Sequence, residues 1–134
     1  MKKKIYFLTG KAGGFKAMEP LLKKILLHKD FSLKVLITDQ HLDNKFGGTY
    51  KSIFKNFNKK FLIKIQSNNK DGSAFNRTSS MATLLYKLSF FLKKNKPDFL
   101  MLYGDRMESL IGAISCLNFS IPLIHFQGGD LSGN

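Results

Sequence analysis

The stretch "FLTGKAGGFKAMEPLL", residues 7–22, decides the fold. An apolar run ends in Thr9 and Gly10, a glycine pair follows at 13–14, and apolar residues then recur at helical spacing. A strand that passes through a glycine-rich turn into a helix is the opening unit of a βαβ chain. The same arrangement brings the unpaired N–H groups of a helix start to a place where an anion can sit. One stretch therefore raises both an architecture and a ligand.

Outward from it, the pattern repeats. "LKVLIT" (33–38), "FLIKI" (61–65), "DFLMLYG" (98–104) and "IPLIHF" (121–126) read as further strands. Between them lie helical patterns. The first spans 17–30, with Leu21, Leu22, Ile25 and Leu26 at helical spacing and Pro20 in the first turn, where proline is tolerated. A short one is centred on "TYKSIFKNF". A long one covers 78–94, with Met81, Leu84, Leu85, Leu88, Phe91 and Leu92 on one stripe and Pro97 as its stop. The last carries a stripe of Met107, Leu110, Ile111, Ile114 and Leu117. Strands alternating with helices predict an α/β domain, a Rossmann-like parallel sheet flanked by helices. "DFLMLYG" lacks polar alternation and so belongs in a strand buried on both faces.

The chain has 134 residues, enough for one domain with a core, and 43% of them are hydrophobic. No apolar run approaches the roughly 18 residues that a membrane span needs. "MKKKIYFLTG" has a basic start, but its apolar part is too short for a signal peptide and no cleavage pattern comes after it. It reads as a first buried strand in a cytoplasmic protein. The single cysteine, Cys116, excludes an intramolecular disulfide and reads as a buried structural thiol. The net charge is +13, yet of 22 basic residues only Arg77 and Arg106 are arginine. Nucleic-acid and phosphate recognition favour the guanidinium fork, and the lysines are scattered, so neither nucleic acid nor a membrane is an expected partner. His28, His41 and His125 show no metal-ligand spacing, and no metal is expected.

In a parallel α/β sheet, ligands bind beyond the carboxyl ends of the strands. The segments at those ends are unusual: "GKAGGFK", then "DQH", then "GDRME", then "QGGD". "TGKAGGFK" has neither Walker A nor G-x-G-x-x-G spacing. Its Gly10, Gly13 and Gly14 still permit a close backbone approach, and Lys11 or Lys16 adds positive charge. The alternative is an ordinary glycine-rich turn. Asp105 and Arg106 come directly after a buried strand, where a carboxylate suits acid or base work and a guanidinium suits phosphate or the carboxylate itself. The alternative is an Asp helix cap with Glu108 completing it. Gln127 and Asp130 flank Gly128–Gly129 at the last strand's exit, with reach toward a ligand or, alternatively, in a tight capped turn. His125 reads as a structural histidine, while His41 lies on a loop at the ligand edge. The ending "GGDLSGN" has no closing helix and reads as the first part of a longer protein.

Taken together, "FLTGKAGGFKAMEPLL", "LITDQHLDNKFGGTYKSI", "KPDFLMLYGDRMESLIGAIS" and "IPLIHFQGGDLSGN" resemble, in order, the N-terminal half of the UDP-N-acetylglucosamine 2-epimerase family. The likeness is nearest to the hydrolysing branch that serves sialic and related nonulosonic acid pathways. It leaves out only residues 57–80 or so.

The resemblance implies a two-domain, glycosyltransferase-B-like protein with its site between the domains. Residues 1–134 would be the N-terminal domain, cut before the nucleotide-binding domain. It implies conversion of UDP-N-acetylglucosamine to UDP and N-acetylmannosamine by anti elimination through 2-acetamidoglucal and hydration. No redox cofactor is implied; a UDP-sugar substrate is, as is a homodimer or homotetramer of the intact protein.

By resemblance, Asp105 matches a catalytic carboxylate and Arg106 a neighbour that steadies the site. Gln127 matches a position often held by a catalytic Glu, and Asp130 and Ser132 a loop lining the sugar pocket. Ala12 stands where the family usually has an Arg that meets the diphosphate, which leaves that task to Lys11 or Lys16. A glycosyltransferase of the same architecture and a non-catalytic sugar-nucleotide-binding fragment are the alternative readings.

Overall fold

The computed structural model describes residues 1–129. Among these, five strands form one sheet: β1 (Lys3–Thr9), β2 (Phe31–Ile37), β3 (Leu62–Lys64), β4 (Phe99–Tyr103) and β5 (Leu123–Phe126). All neighbours pair in parallel, in the order β3-β2-β1-β4-β5. The helices are α1 (Ala12–Leu27), α2 (Tyr50–Asn56), α3 (Ala74–Lys94) and α4 (Met107–Phe119). The chain moves outward from β1 to β3, then returns to place β4 on the other side of β1. The loops after β1 and β4 thus part in opposite directions, which opens a crevice between them.

The core follows from strand periodicity. Successive side chains of a strand point to opposite faces. Ile5 and Phe7 of β1, with Leu33, Val35 and Ile37 of β2 and Met101 of β4, pack on one face beneath Phe15, Met18, Leu22 and Ile25 of α1. Tyr6, Leu8, Leu36, Leu100 and Leu102 face the other way, under Leu84, Leu88 and Leu92 of α3 and Ile111 and Cys116 of α4. Both faces of the central strands are covered, which is why β1 and β4 read as unbroken apolar runs.

Three readings change within α1. Helix α1 begins at Ala12 rather than at residue 17, because the glycine pair forms its first turn. Pro20 therefore lies inside the helix, on its solvent side, where it removes one N–H from the ladder. Leu21, expected in the apolar stripe, is exposed while Met18 takes a core position.

In α4 the expected stripe turns outward: Leu110, Ile114 and Leu117 are 55, 36 and 81% exposed. The buried face is Glu108, Ile111, Gly112, Ser115 and Cys116. Much of the helix is apolar or small, so spacing alone fits either face. Close approach to the sheet selects the small one, since a Cβ on Gly112 would meet Leu102 at 2.7 Å. Burial pushes the Cys116 thiol up to about 11. Among the described residues no helix is long and apolar enough to cross a membrane.

Candidate functional site

A cleft of about 530 Å³ opens at the crevice between β1 and β4 and extends to the exit of β5. Lys11, Asp105 and Gln127 line it together, from three different loops, with Gly10, Gly13, Gly14 and Arg106. Asp130 and Ser132 lie outside the described residues. Among the described residues no group of three His, Cys, Asp or Glu side chains is placed to hold a metal.

The β1 side offers backbone. Lys11 is the N-cap of α1 in an extended conformation, its side chain makes no capping bond, and the first turn holds no acidic residue. The start of a 16-residue helix thus points donors and the positive end of its dipole at the cleft without a counter-charge of its own. The three glycines differ in what they do. A Cβ on Gly13 would meet nothing within 4 Å, so its backbone is open to the cleft. A Cβ on Gly14 would lie 3.2 Å from the Tyr103 ring. At Gly10 a Cβ would fall 2.5 Å from the Glu108 carboxyl group, so this glycine makes room for a side chain from the first turn of α4.

The β4 side offers charge. Arg106, not Asp105, is the N-cap residue of α4, and Glu108 binds the Arg106 side chain in place of a backbone cap. Arg106 Nε donates to Glu108 Oε1 at 2.8 Å, and its Nη2 donates to Asp39 Oδ2 at 2.7 Å. Asp39 comes from the turn after β2 and has a φ of +48°, a region aspartate tolerates better than most residues. Burial opposes the guanidinium's charge, but Glu108 and then Asp39 outweigh it and hold the Arg106 pKa above its ordinary value. Glu108 is buried, and its Oε2 has no hydrogen-bond partner among the described residues. Asp105 is exposed at the rim.

At β5 the Tyr103 hydroxyl donates to Gln127 Oε1, and Gln127 has a φ of +50°. His125 Nε2 donates to the Gly104 carbonyl at 2.7 Å, which ties the β4 and β5 exits together.

His41 stands apart from the cleft. The segment after β2 coils into a short 3₁₀ turn, Asp39–His41, that carries the imidazole inward until it is fully buried. Its Nε2 lies 3.0 Å from Thr9 Oγ1 and its Nδ1 2.8 Å from Thr49 Oγ1. Burial, reinforced by the Arg106 charge, lowers its pKa to about 4. A neutral ring between two hydroxyls is scaffold, and it leaves no edge for a ligand. Sequence reasoning points to His41 and passes over its neighbour Asp39. The available signal is a carboxylate directly after a buried strand, the same signal that marks Asp105.

A family model described as UDP-N-acetylglucosamine 2-epimerase matches residues 23–134. Among curated proteins, the chain is 34% identical to the GDP/UDP-N,N'-diacetylbacillosamine 2-epimerase (hydrolyzing) of Campylobacter jejuni, over 98% of this chain and 34% of that protein. It is 32% identical to the UDP-N-acetylglucosamine 2-epimerase of Neisseria meningitidis, again over 98% of this chain and 34% of that one. The chain thus spans about a third of the length of these relatives.

Among solved structures, the Neisseria meningitidis 2-epimerase bound to UDP-GlcNAc superposes with a TM-score of 0.76 at 21% identity, covering 98% of this chain and 33% of that one. A glycosyltransferase of kitacinnamycin superposes at 0.58 with 10% identity, over 93% of this chain and 30% of that one. At these identities the structural likeness is one of fold.

Proposed function

The chain belongs to the UDP-N-acetylglucosamine 2-epimerase family, and from that premise we propose that it forms the sugar-facing half of a hydrolysing epimerase's cleft. The substrate is a UDP-linked N-acetyl sugar, UDP-N-acetylglucosamine in the simplest case. A second αβ domain, carrying the nucleotide site, closes the cleft in the intact protein. The observation that carries this reading is the convergence of Lys11, Asp105 and Gln127 on one crevice.

In this reading the α1 N-terminus and Lys11 face the diphosphate, where backbone donors and a point charge take the place of an arginine fork. Asp105 moves a proton at the sugar. The C1–O bond breaks with its electron pair leaving on UDP, and the Asp105 carboxylate takes the C2 proton from the opposite face. The product of that step is 2-acetamidoglucal. Water then adds across the double bond, hydroxyl to C1 and proton to C2, and releases the 2-epimer. The sum is hydrolysis with inversion at C2, so no redox cofactor enters. An amide cannot accept the C2 proton, and Gln127 already receives the Tyr103 hydroxyl at its oxygen. Its NH₂ group is left as a donor that orients the sugar.

The test is incubation of the full-length protein with UDP-N-acetylglucosamine and, separately, UDP-N,N'-diacetylbacillosamine in D₂O. Release of UDP and the 2-epimeric sugar, with deuterium at C2, is the expected result. Transfer of the sugar to an acceptor with C2 unchanged identifies a glycosyltransferase instead, and absence of turnover with both substrates overturns the assignment. The 134-residue chain alone is expected to show no turnover.

A further inference from the structure

Among the described residues, Arg106 is the one arginine that lines the cleft, yet its guanidinium is committed before any ligand arrives. Glu108 holds its Nε edge from within the same helix start, and Asp39 holds Nη2 from a turn 67 residues away in sequence. The carboxylates outnumber the guanidinium two to one, and both are more deeply buried than it is, at 5 and 8% side-chain exposure against 30%. The cluster carries a net negative charge. A phosphate group brought against it meets two fixed carboxylates as well as one cation. An uncharged oxygen carries no charge for the carboxylates to repel and can accept from a guanidinium N–H that neither carboxylate takes, in the cleft that Arg106 lines.

Two further observations point the same way. The Glu108 carboxyl group occupies the space that a Cβ on residue 10 would take, so the bare backbone of Gly10 is what lets it reach Arg106. Its second oxygen is buried without a partner among the described residues, a costly arrangement that persists where the surrounding structure fixes it.

Resting on the sugar-nucleotide reading above, we propose that Asp39 and Glu108 are positioning residues that lock Arg106 as a hydrogen-bond donor to an uncharged oxygen of the sugar, a hydroxyl or the acetamido carbonyl. The diphosphate falls to the α1 side. The division is spatial: backbone donors and Lys11 after β1, and a guanidinium already neutralised after β4. It also makes the turn after β2 part of sugar recognition, although Asp39 sits outside the cleft lining.

The experiment compares two ligands on the full-length protein and its variants by calorimetry. Asp39→Asn and Glu108→Gln are each expected to weaken UDP-N-acetylglucosamine binding about tenfold. UDP alone should change by less than about twofold. Glu108→Ala, which removes the acceptor as well as the charge, loses more than Glu108→Gln. Equal losses for both ligands overturn the proposal, because Arg106 then serves the phosphate. Unchanged binding of both ligands overturns it too.

Should the unsubstituted protein bind neither ligand, the sugar-nucleotide reading itself fails, and recognition of the sugar by Arg106 fails with it. The lock is read independently by the Arg106 Nε–H NMR signal, expected to be slowly exchanging in the unsubstituted protein and fast in Glu108→Gln, which weakens its acceptor. A fast signal in the unsubstituted protein overturns the lock. The same spectra report whether each variant is folded, and Asp39→Asn, at the more accessible partner, serves where Glu108→Gln is not.

Discussion

Two polar centres sit side by side at the carboxyl edge of the sheet, and both use the turn after β2. One is the Thr9–His41–Thr49 chain, fully buried at the ring and uncharged. The other is the Asp39–Arg106–Glu108 cluster, charged and half open to the cleft. The first satisfies both ring nitrogens and leaves nothing over. The second leaves over guanidinium donors and, among the described residues, one bare carboxylate oxygen. Their difference separates scaffold from site: burial with complete pairing stabilises a loop, whereas incomplete pairing beside a cavity points to a ligand.

The contrast breaks most visibly at Arg106. Arg106→Ala leaves two carboxylates without their partner, and the loss expected is about 3–5 kcal/mol by urea denaturation. A loss below about 1 kcal/mol would mean that water screens the cluster as it does any surface pair.

His41 gives the next largest effect, through pH. Its folded pKa of about 4 is below the ordinary 6.5, so the unfolded chain binds the extra proton first as pH falls. Stability is complete above pH 6.5 and declines toward pH 4, by about 3 kcal/mol from this group. His41→Asn should remove that acid slope in denaturation series taken at each pH.

Gly10→Ala forces the Glu108 carboxyl group out of its place and is expected to cost about 2 kcal/mol, with fast exchange at Arg106 Nε–H. The smallest effect is at Thr49→Val, which strips one partner from His41 and should cost about 1 kcal/mol by thermal melting while the Arg106 signal stays protected. If Thr49→Val disturbs that signal, the two centres are one network.

Much of this architecture is legible because strand and helix periods are local. The five strands and the crevice after β1, β4 and β5 can be read from apolar runs and the polar clusters at their ends. The α4 face is not legible, since Leu110, Ile114 and Leu117 fit a stripe as well as the residues that are buried. Gly112 decides it through contact with the sheet, a tertiary fact. At the site, Lys11, Asp105 and Gln127 are readable as loop residues at one edge. The Arg106–Asp39 pair is not, because no local pattern links residues so far apart. His41 reads as a ligand-edge residue only while Thr9 and Thr49 are left out, and their role as its partners depends on a turn's inward coil.

Cys116 supplies a last consequence. It is the chain's single thiol, it lies on the buried face of α4, and burial keeps it protonated at neutral pH. A thiol-reactive dye can therefore mark the chain only while that helix lifts from the sheet. Labelling speed becomes a native stopwatch for the fluctuation that exposes the back of the Arg106 loop, readable with no engineered probe.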